Sequence, residues 1–207
     1  MDKSLIVPEY EQLCAMLSGD HNGKFGITDV EVAHLSWLGA QVPEGGDVVE
    51  IGSHRGKSIS AIGCGIRAAG NLGKVRMFAV DLWLKGEGRT FDHYASQETW
   101  EIFNRQIASV GLHDFIQTRM MSSAKAAEKR GKPIHLLFID ADHKYKSVLQ
   151  DWELWSPFIP VGGYVAFHDF GTRFKGVDRV IKEQVIASGK WGDESVYGRL
   201  WSAKRLK

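Results

Sequence analysis

Asp140, Asp142 and His143 stand close together, and a second pair, His168 and Asp169, follows some 25 residues later. Imidazole titrates near neutrality and carboxylates take up protons or cations. Such residues at the ends of apolar runs can take a proton from a hydroxyl, hold a metal ion, or do both. His143 lies three residues beyond Asp140, a spacing that suits proton abstraction from an acceptor held near the acid. His168 and Asp169 follow a run that should be buried on both faces, where polar groups are costly unless paired or coordinated. A third segment, Glu50-Ile51-Gly52-Ser53-His54-Arg55-Gly56, reads as a strand end, a glycine turn and a helix start. Backbone N–H groups and the positive end of a helix dipole can receive an anionic or carboxylate-bearing ligand there. Asp81, Ser122 and Ser123 complete the set.

These residues share one property: each follows a short, strongly apolar run. The runs are Asp47 to Ile51, Val75 to Val80, Phe115 to Met120, Ile134 to Ile139 and Tyr164 to Phe167. Between them, apolar residues recur at helical spacing, as in Trp100, Phe103, Ile107 and Val110 before Gly111, and in Val148, Leu149, Trp152 and Trp155. A last helix carries Val177, Val180, Ile181 and Val185 on one side, and two strand-like runs follow, around Val196 and from Leu200 to Ala203. The alternation predicts a parallel sheet covered by helices on both faces. In such a sheet ligands sit beyond the carboxyl ends of the strands, where the polar residues fall. Upstream, Val30, Ala33, Leu35, Trp37 and Leu38 predict a helix ending near Gly39. Residues 1–45 read as a helical N-terminal cap and 46–207 as the core, together one structural domain.

Composition narrows the function. The 207 residues hold 26 Lys+Arg against 25 Asp+Glu, for a net charge of +1, so no large field of one sign marks a nucleic-acid partner. No apolar run approaches the ~20 residues of a membrane helix, and the first residues are too short for a signal-peptide core, so the cytoplasm is the default expectation and no membrane partner is expected. Cys14 and Cys64 lack CxxC or Cys/His spacing and read as reduced, buried thiols.

Three ligand readings compete for the loop after Glu50. The dinucleotide fingerprint needs G-x-G-x-x-G, and Ser53-His54 after Gly52 breaks it. A phosphate loop ends properly in Gly56-Lys57-Ser58, and Leu136 to Asp140 looks like its magnesium-holding strand, but Ile51 stands where the first glycine belongs. The third reading fits without repair: Glu50-x-Gly52-x-x-x-Gly56 resembles the glycine loop of class I S-adenosylmethionine-dependent methyltransferases, and Asp81 resembles their ribose-binding acid. Gly52 and Gly56 would let the backbone pass close to the methionine part of the cofactor, and Asp81 would accept hydrogen bonds from both ribose hydroxyls.

The stretch Leu136-Leu137-Phe138-Ile139-Asp140-Ala141-Asp142-His143-Lys144-Tyr145, with Pro160-Val161-Gly162-Gly163-Tyr164-Val165-Ala166-Phe167-His168-Asp169, closely resembles the bacterial class I methyltransferase group called family 24. The resemblance runs from about Ile27 to the C-terminus. It implies a Rossmann-like, doubly wound α/β fold, with a mostly parallel seven-stranded sheet of order 3-2-1-4-5-7-6 and strand 7 antiparallel. It relates the chain to catechol and macrolide-sugar O-methyltransferases, which hold a divalent metal between an acid ending the fourth strand and an acidic pair ending the fifth. Those positions are Asp140, His168 and Asp169 here, and the general base of the macrolide-sugar enzymes falls on His143. Where the pair's first acid would stand there is a histidine. That departure leaves open a metal such as magnesium, manganese, iron or zinc, or no metal, with His168 then an acid, base or substrate hydrogen-bonder.

The expected function is methyl transfer from S-adenosylmethionine to a hydroxyl of a small molecule, a sugar, polyketide or phenol, with a divalent metal as an optional assistant. Asp140, His143 and His168 are the catalytic candidates. The cofactor candidates are Glu50, Gly52, Ser53, His54, Gly56, Asp81, Ser122, Ser123 and Asp140. For Ser122 and Ser123, N-capping of the following helix is the first explanation and adenine contact the second; Asp142 is the expected cap of the helix near Lys144. Trp83 is core or pocket wall. The alternatives are a two-histidine, one-carboxylate iron oxygenase using His143 and His168, a phosphate-loop enzyme, and a cofactor-binding module without chemistry. Assembly into a homo-oligomer is left open.

Overall fold

The computed structural model describes residues 26–84, 96–128 and 132–207. Seven strands form one sheet: β1 (Asp47–Ile51), β2 (Arg76–Asp81), β3 (Ile116–Met120), β4 (Ile134–Ile139), β5 (Tyr164–Phe167), β6 (Trp191–Tyr197) and β7 (Leu200–Arg205). Their order is β3-β2-β1-β4-β5-β7-β6. The first five strands pair in parallel, and β7 runs antiparallel to both β5 and β6. This is the order and sense expected from the resemblance. The chain turns from one half of the sheet to the other between β1 and β4, the point at which the carboxyl ends of an open α/β sheet leave a crevice for ligand.

Residue alternation along the inner strands explains why they are apolar throughout. Val48 of β1 and Leu136 and Phe138 of β4 face one core, while Val49, Ile51, Leu137 and Ile139 face the other. Each side of the sheet is roofed by helices, so neither parity is left to water. On the first face lie α1 (Asp29–Ala40), α2 (Lys57–Ala68) and α3 (Gln97–Ser109), which contribute Leu35, Leu38, Ile59, Ile62, Phe103 and Ile107. On the second lie the short α4 (Ser123–Ala127), α5 (Tyr145–Trp155) and α6 (Lys175–Val180). Trp152 and Trp155 are therefore core, and so is Trp83, which is fully buried against Trp100 and Phe103. α6 widens into a π-turn at Ile181–Val185 that keeps Ile181 and Val185 inward. Cys64 is buried; Cys14, and residues 1–25 of the expected N-terminal cap, lie outside the described residues. No helix among the described residues is long and apolar enough to cross a membrane.

Three strand starts differ from the sequence expectation. β2 and β3 begin one residue late, at Arg76 and Ile116, the latter because Phe115 closes a 3₁₀ turn, His113–Phe115. β6 starts at Trp191, well before Val196. It is an edge strand with exposed Asp193 and Glu194 and a register shift between Gly192 and Ser195, so no apolar run announces it.

One buried acid of α5 stands apart from the site. Burial pushes the Asp151 carboxyl up to about 6, with the Ser123 hydroxyl acting against that rise. The neutral form is the one the fold favours, so its stability contribution is complete below the unfolded value and lost as pH rises through about 6. Asp151→Asn is expected to stabilise the protein at pH 7–8 by roughly 1–3 kcal/mol and to leave stability near pH 4 almost unchanged. Urea unfolding at both pH values checks this; equal effects at the two would count against it.

Candidate functional site

The glycine loop after β1 is shaped by its neighbours on both sides. Gly52 adopts φ +89, and its N–H donates to the Val80 carbonyl at 2.9 Å. A Cβ there would lie 2.2 Å from the Asp140 carbonyl oxygen, so the loop and the end of β4 touch backbone to backbone. His54 (φ +43) donates its N–H to Asp81 Oδ2 at 2.8 Å, and Trp83 donates its N–H to Asp81 Oδ1 at 3.0 Å. The Trp83 indole N–H closes the circuit onto the His54 carbonyl at 2.8 Å. Asp81 thus ties the loop to the end of β2, and each oxygen keeps a lone pair for a further donor.

Gly56, with φ +83, begins α2, whose N-terminus carries no side-chain cap. Glu50 is wholly buried beneath the loop, and burial pushes its carboxyl up to about 8. The Ser53 and Ser58 hydroxyls oppose that rise without reaching hydrogen-bonding geometry. Uncommitted helix N–H groups, an unengaged Ser53 hydroxyl and an acid beyond β2 are what a cofactor with an α-amino acid end and a ribose requires, so the residues fit S-adenosylmethionine. Ser122 and Ser123 are otherwise occupied: Ser122 caps α4 through the Lys125 N–H, and Ser123 accepts the Trp155 indole N–H at 2.8 Å. Asp142 accepts the Lys144 N–H and the Ser147 hydroxyl at the start of α5, as a cap would.

The second half of the site lies beyond β4 and β5. Sheet pairing places Asp140 and His168 side by side, since the His168 N–H donates to the Ile139 carbonyl and the Asp140 N–H to that of Ile51. His168 Nδ1 lies 3.3 Å from Asp140 Oδ1 and 3.7 Å from Asp169 Oδ2. His143 Nε2 approaches Asp169 Oδ2 to 2.9 Å and Asp140 Oδ1 to 3.7 Å, and its ring stacks on Phe174 at 4.2 Å between centroids. Despite these distances Nε2 is buried without an aligned hydrogen-bond partner among the described residues.

Two residues with no part in the sequence expectation enter here. Glu31, on α1 and wholly buried, faces His168 Nε2 at 3.5 Å. Its carboxylate also accepts the N–H of Thr28 at 2.6 Å and that of Arg199 at 2.7 Å. Arg199, in the tight turn between β6 and β7, donates to Asp169 Oδ1 at 3.1 Å. The Thr28-x-x-Glu31 spacing is legible as a helix start, which is all it signals in sequence.

Charge follows the geometry. Burial lowers the basicity of His168, but Asp140, Asp169 and Glu31 outweigh it and hold the ring up at about 12. Burial is likewise overcome at His143, held at about 9 by Asp140 and Asp169. In the resting site this ring carries its proton, which differs from the near-neutral base expected from the sequence. Asp140, Asp169 and Glu31 all sit below the usual carboxylate range: burial would raise each, and the histidines, with backbone N–H donors at Glu31, reverse it.

As a metal site the cluster has the right spacing and the wrong neighbours. Asp140, His143 and Asp169 each offer a ligand atom within 4.8 Å of the others. His168 occupies the gap between the two aspartates, and Arg199 holds the far oxygen of Asp169. Three carboxylates thus face three cationic side chains, a set that fits a divalent ion poorly. Of the sequence-expected ligands, Asp140 and Asp169 converge; His168 turns one ring nitrogen to them and the other to Glu31.

The strand order, with a glycine loop, a ribose-type acid and a titratable cluster at the carboxyl ends, defines the Rossmann-like methyltransferase fold. The chain belongs to the family described as a methyltransferase domain, Methyltransf_24, whose model matches residues 49–170. By family and fold it is related to class I methyltransferases. The O-methyltransferase NovP superposes with a TM-score of 0.69 at 17% identity, covering 88% of this chain and 84% of that one. TomG of Streptomyces achromogenes, an O-methyltransferase of tomaymycin synthesis in complex with S-adenosylmethionine, gives 0.66 at 14% identity over 100% and 91%. An O-methyltransferase from Bacillus cereus with S-adenosylhomocysteine gives 0.66 at 14% over 99% and 92%. Among curated sequences, the uncharacterized protein y4gI of Sinorhizobium fredii is 30% identical over 131 residues, 62% of this chain and 14% of that protein. Uncharacterized protein R132 of Acanthamoeba polyphaga mimivirus is 43% identical over 37 residues, 18% and 17%. The chain spans about a sixth or less of the length of these curated relatives.

Proposed function

We propose that this domain methylates a hydroxyl oxygen of a small molecule, with His143 taking the acceptor proton. The observation that carries the reading is the buried His143 Nε2, set between Asp140 and Asp169 without an aligned partner, across the Gly52–Asp140 contact from the glycine loop. The Gly52 to Gly56 loop, with Ser53 and His54, would hold the amino-acid end of S-adenosylmethionine, Glu50 would underlie it and Asp81 would take the ribose. When bound, the cofactor supplies an electrophilic methyl on a sulfonium.

The chain's own part is to orient the acceptor and receive its proton. A new O–CH₃ bond forms as the S–CH₃ bond breaks, and the hydroxyl proton must leave. His143 would take it once the ring has given up its resting proton. Asp140 and His168, 3.3 Å apart, would form the wall beside the acceptor oxygen that fixes its line of attack. Solved O-methyltransferases of the same fold support the direction to oxygen, and the near-zero net charge supports a small acceptor rather than nucleic acid.

Calorimetric titration with S-adenosylmethionine and S-adenosylhomocysteine, with ATP-Mg and NAD as controls, tests the cofactor assignment. Saturable binding of the sulfonium pair alone is expected, and Asp81→Asn should weaken it about 10- to 100-fold through lost charge-assisted hydrogen bonds. Binding of ATP-Mg or NAD in place of the pair would overturn the reading.

A further inference from the structure

We propose that His168, backed by Glu31 and Arg199, is a built-in cation that takes the place of a divalent metal in the acceptor site. The catalytic sense of this proposal rests on the methyltransferase reading; its structural sense does not.

Asp140 and Asp169 follow the ends of neighbouring parallel strands, and each offers a carboxylate oxygen within 4.8 Å of the other. Two carboxylates at such range repel unless something positive lies between them. In this chain that something is the His168 ring, with Nδ1 3.3 Å from Asp140 and 3.7 Å from Asp169. A lone imidazole would be a poor substitute for an ion, because nothing would keep it charged or aimed. Glu31 does both: it is 0% exposed, lies 3.5 Å from Nε2, and is locked by the Thr28 and Arg199 N–H groups. The ring thus lies between carboxylates on both sides, Asp140 at 3.3 Å from Nδ1 and Glu31 at 3.5 Å from Nε2, although Nε2 makes no aligned hydrogen bond among the described residues.

Arg199 completes the substitution. Its Nη1 donates to Asp169 Oδ1 at 3.1 Å, and its other terminal nitrogen is fixed by the Gly26 carbonyl at 2.7 Å. The turn that carries it is pressed onto Glu31, since a Cβ on Gly198 would lie 2.7 Å from Glu31 Oε1. Asp169, at φ +59, is thereby directed to Arg199 through one oxygen and to the histidines through the other. Glu31 and Arg199 are positioning residues that act through His168 and Asp169.

The test uses Mn²⁺ alone, followed by electron paramagnetic resonance and calorimetry, on the wild-type protein, His168→Ala, and the Glu31→Gln, His168→Asp double variant. The double variant restores an acidic pair and removes the carboxylate that would otherwise be left buried without a cation. The wild type is expected to show no saturable Mn²⁺ binding below about millimolar concentration, and the double variant to bind at least about tenfold tighter. Micromolar Mn²⁺ binding by the wild type that His168→Ala abolishes would overturn the proposal, as would a double variant that gains nothing while still folded by circular dichroism. S-adenosylhomocysteine titration of the same samples reports separately on the cofactor reading. If S-adenosylhomocysteine fails to bind while the Mn²⁺ results come out as expected, methyl transfer falls and the cation assignment stands.

Discussion

Replacing His143 with alanine is expected to lower methyl transfer about 10²- to 10⁴-fold while leaving S-adenosylhomocysteine binding unchanged, the loss usual for a positioned general base. The expectation rests on place before pKa. The ring is the only group among the described residues that lies against both Asp140 and Asp169 while stacked on an aromatic face, here Phe174 at 4.2 Å. Alanine removes the proton acceptor and leaves two carboxylates still paired with His168 and Arg199, so the fold around β4 and β5 should survive. His143→Gln separates the roles. The amide can hydrogen-bond the acceptor but cannot take its proton, so it should resemble alanine in turnover and the wild type in acceptor KM. Steady-state turnover on an acceptor found by screening, with S-adenosylhomocysteine calorimetry as the binding control, decides the matter. Unchanged turnover in both variants would remove His143 from the chemistry.

How much of this site the sequence could disclose depends on how its residues are held. Asp140, His143, His168 and Asp169 were legible because parallel strands deliver their last residues to one edge, so order along the chain and place in space coincide. The same holds for Gly52 and Asp81. Glu31 and Arg199 are different. They meet each other across 168 positions of sequence, and each looks ordinary in its own neighbourhood, one as a first-turn acid and the other as a turn residue after Gly198. Local pattern cannot register a pair made by the packing of α1 against the β6–β7 turn. Nor could it show that His143 rests protonated, since that follows from two carboxylates brought in from different strands. Ser123, a ligand candidate from its place after β3, makes a packing contact that local pattern could not show, its hydroxyl accepting the Trp155 indole N–H. β6 escaped for a simpler reason, being an edge whose exposed face needs no apolar residues.

Gly52→Ala is expected to be the most damaging single substitution in the cofactor loop, costing about 3–5 kcal/mol and lowering Tm by roughly 6–20 °C. Two costs add there. An L-residue at φ +89 sits outside its favoured regions, worth about 1–2 kcal/mol, and the new methyl would lie 2.2 Å from the Asp140 carbonyl oxygen and 2.6 Å from its carbon. The obstacle is backbone, which cannot swing aside as a side chain does. It is also paired, since the Asp140 N–H donates to Ile51 and the Gly52 N–H to Val80, so relief must come from moving the ends of β1 and β4 apart. That movement carries Asp140 away from His168 and opens the loop anchored on Asp81, so whatever protein folds should also bind S-adenosylhomocysteine weakly. Gly171→Ala isolates the first cost. Gly171 has φ +74, and a methyl added there would meet nothing within 4 Å, so it bears the conformational penalty without the clash. Thermal unfolding of the two variants side by side should show Gly52→Ala losing at least twice as much stability. Equal losses would mean that the contact between the loop and the end of β4 does not constrain the site, and that Gly52 is required for its backbone angle alone.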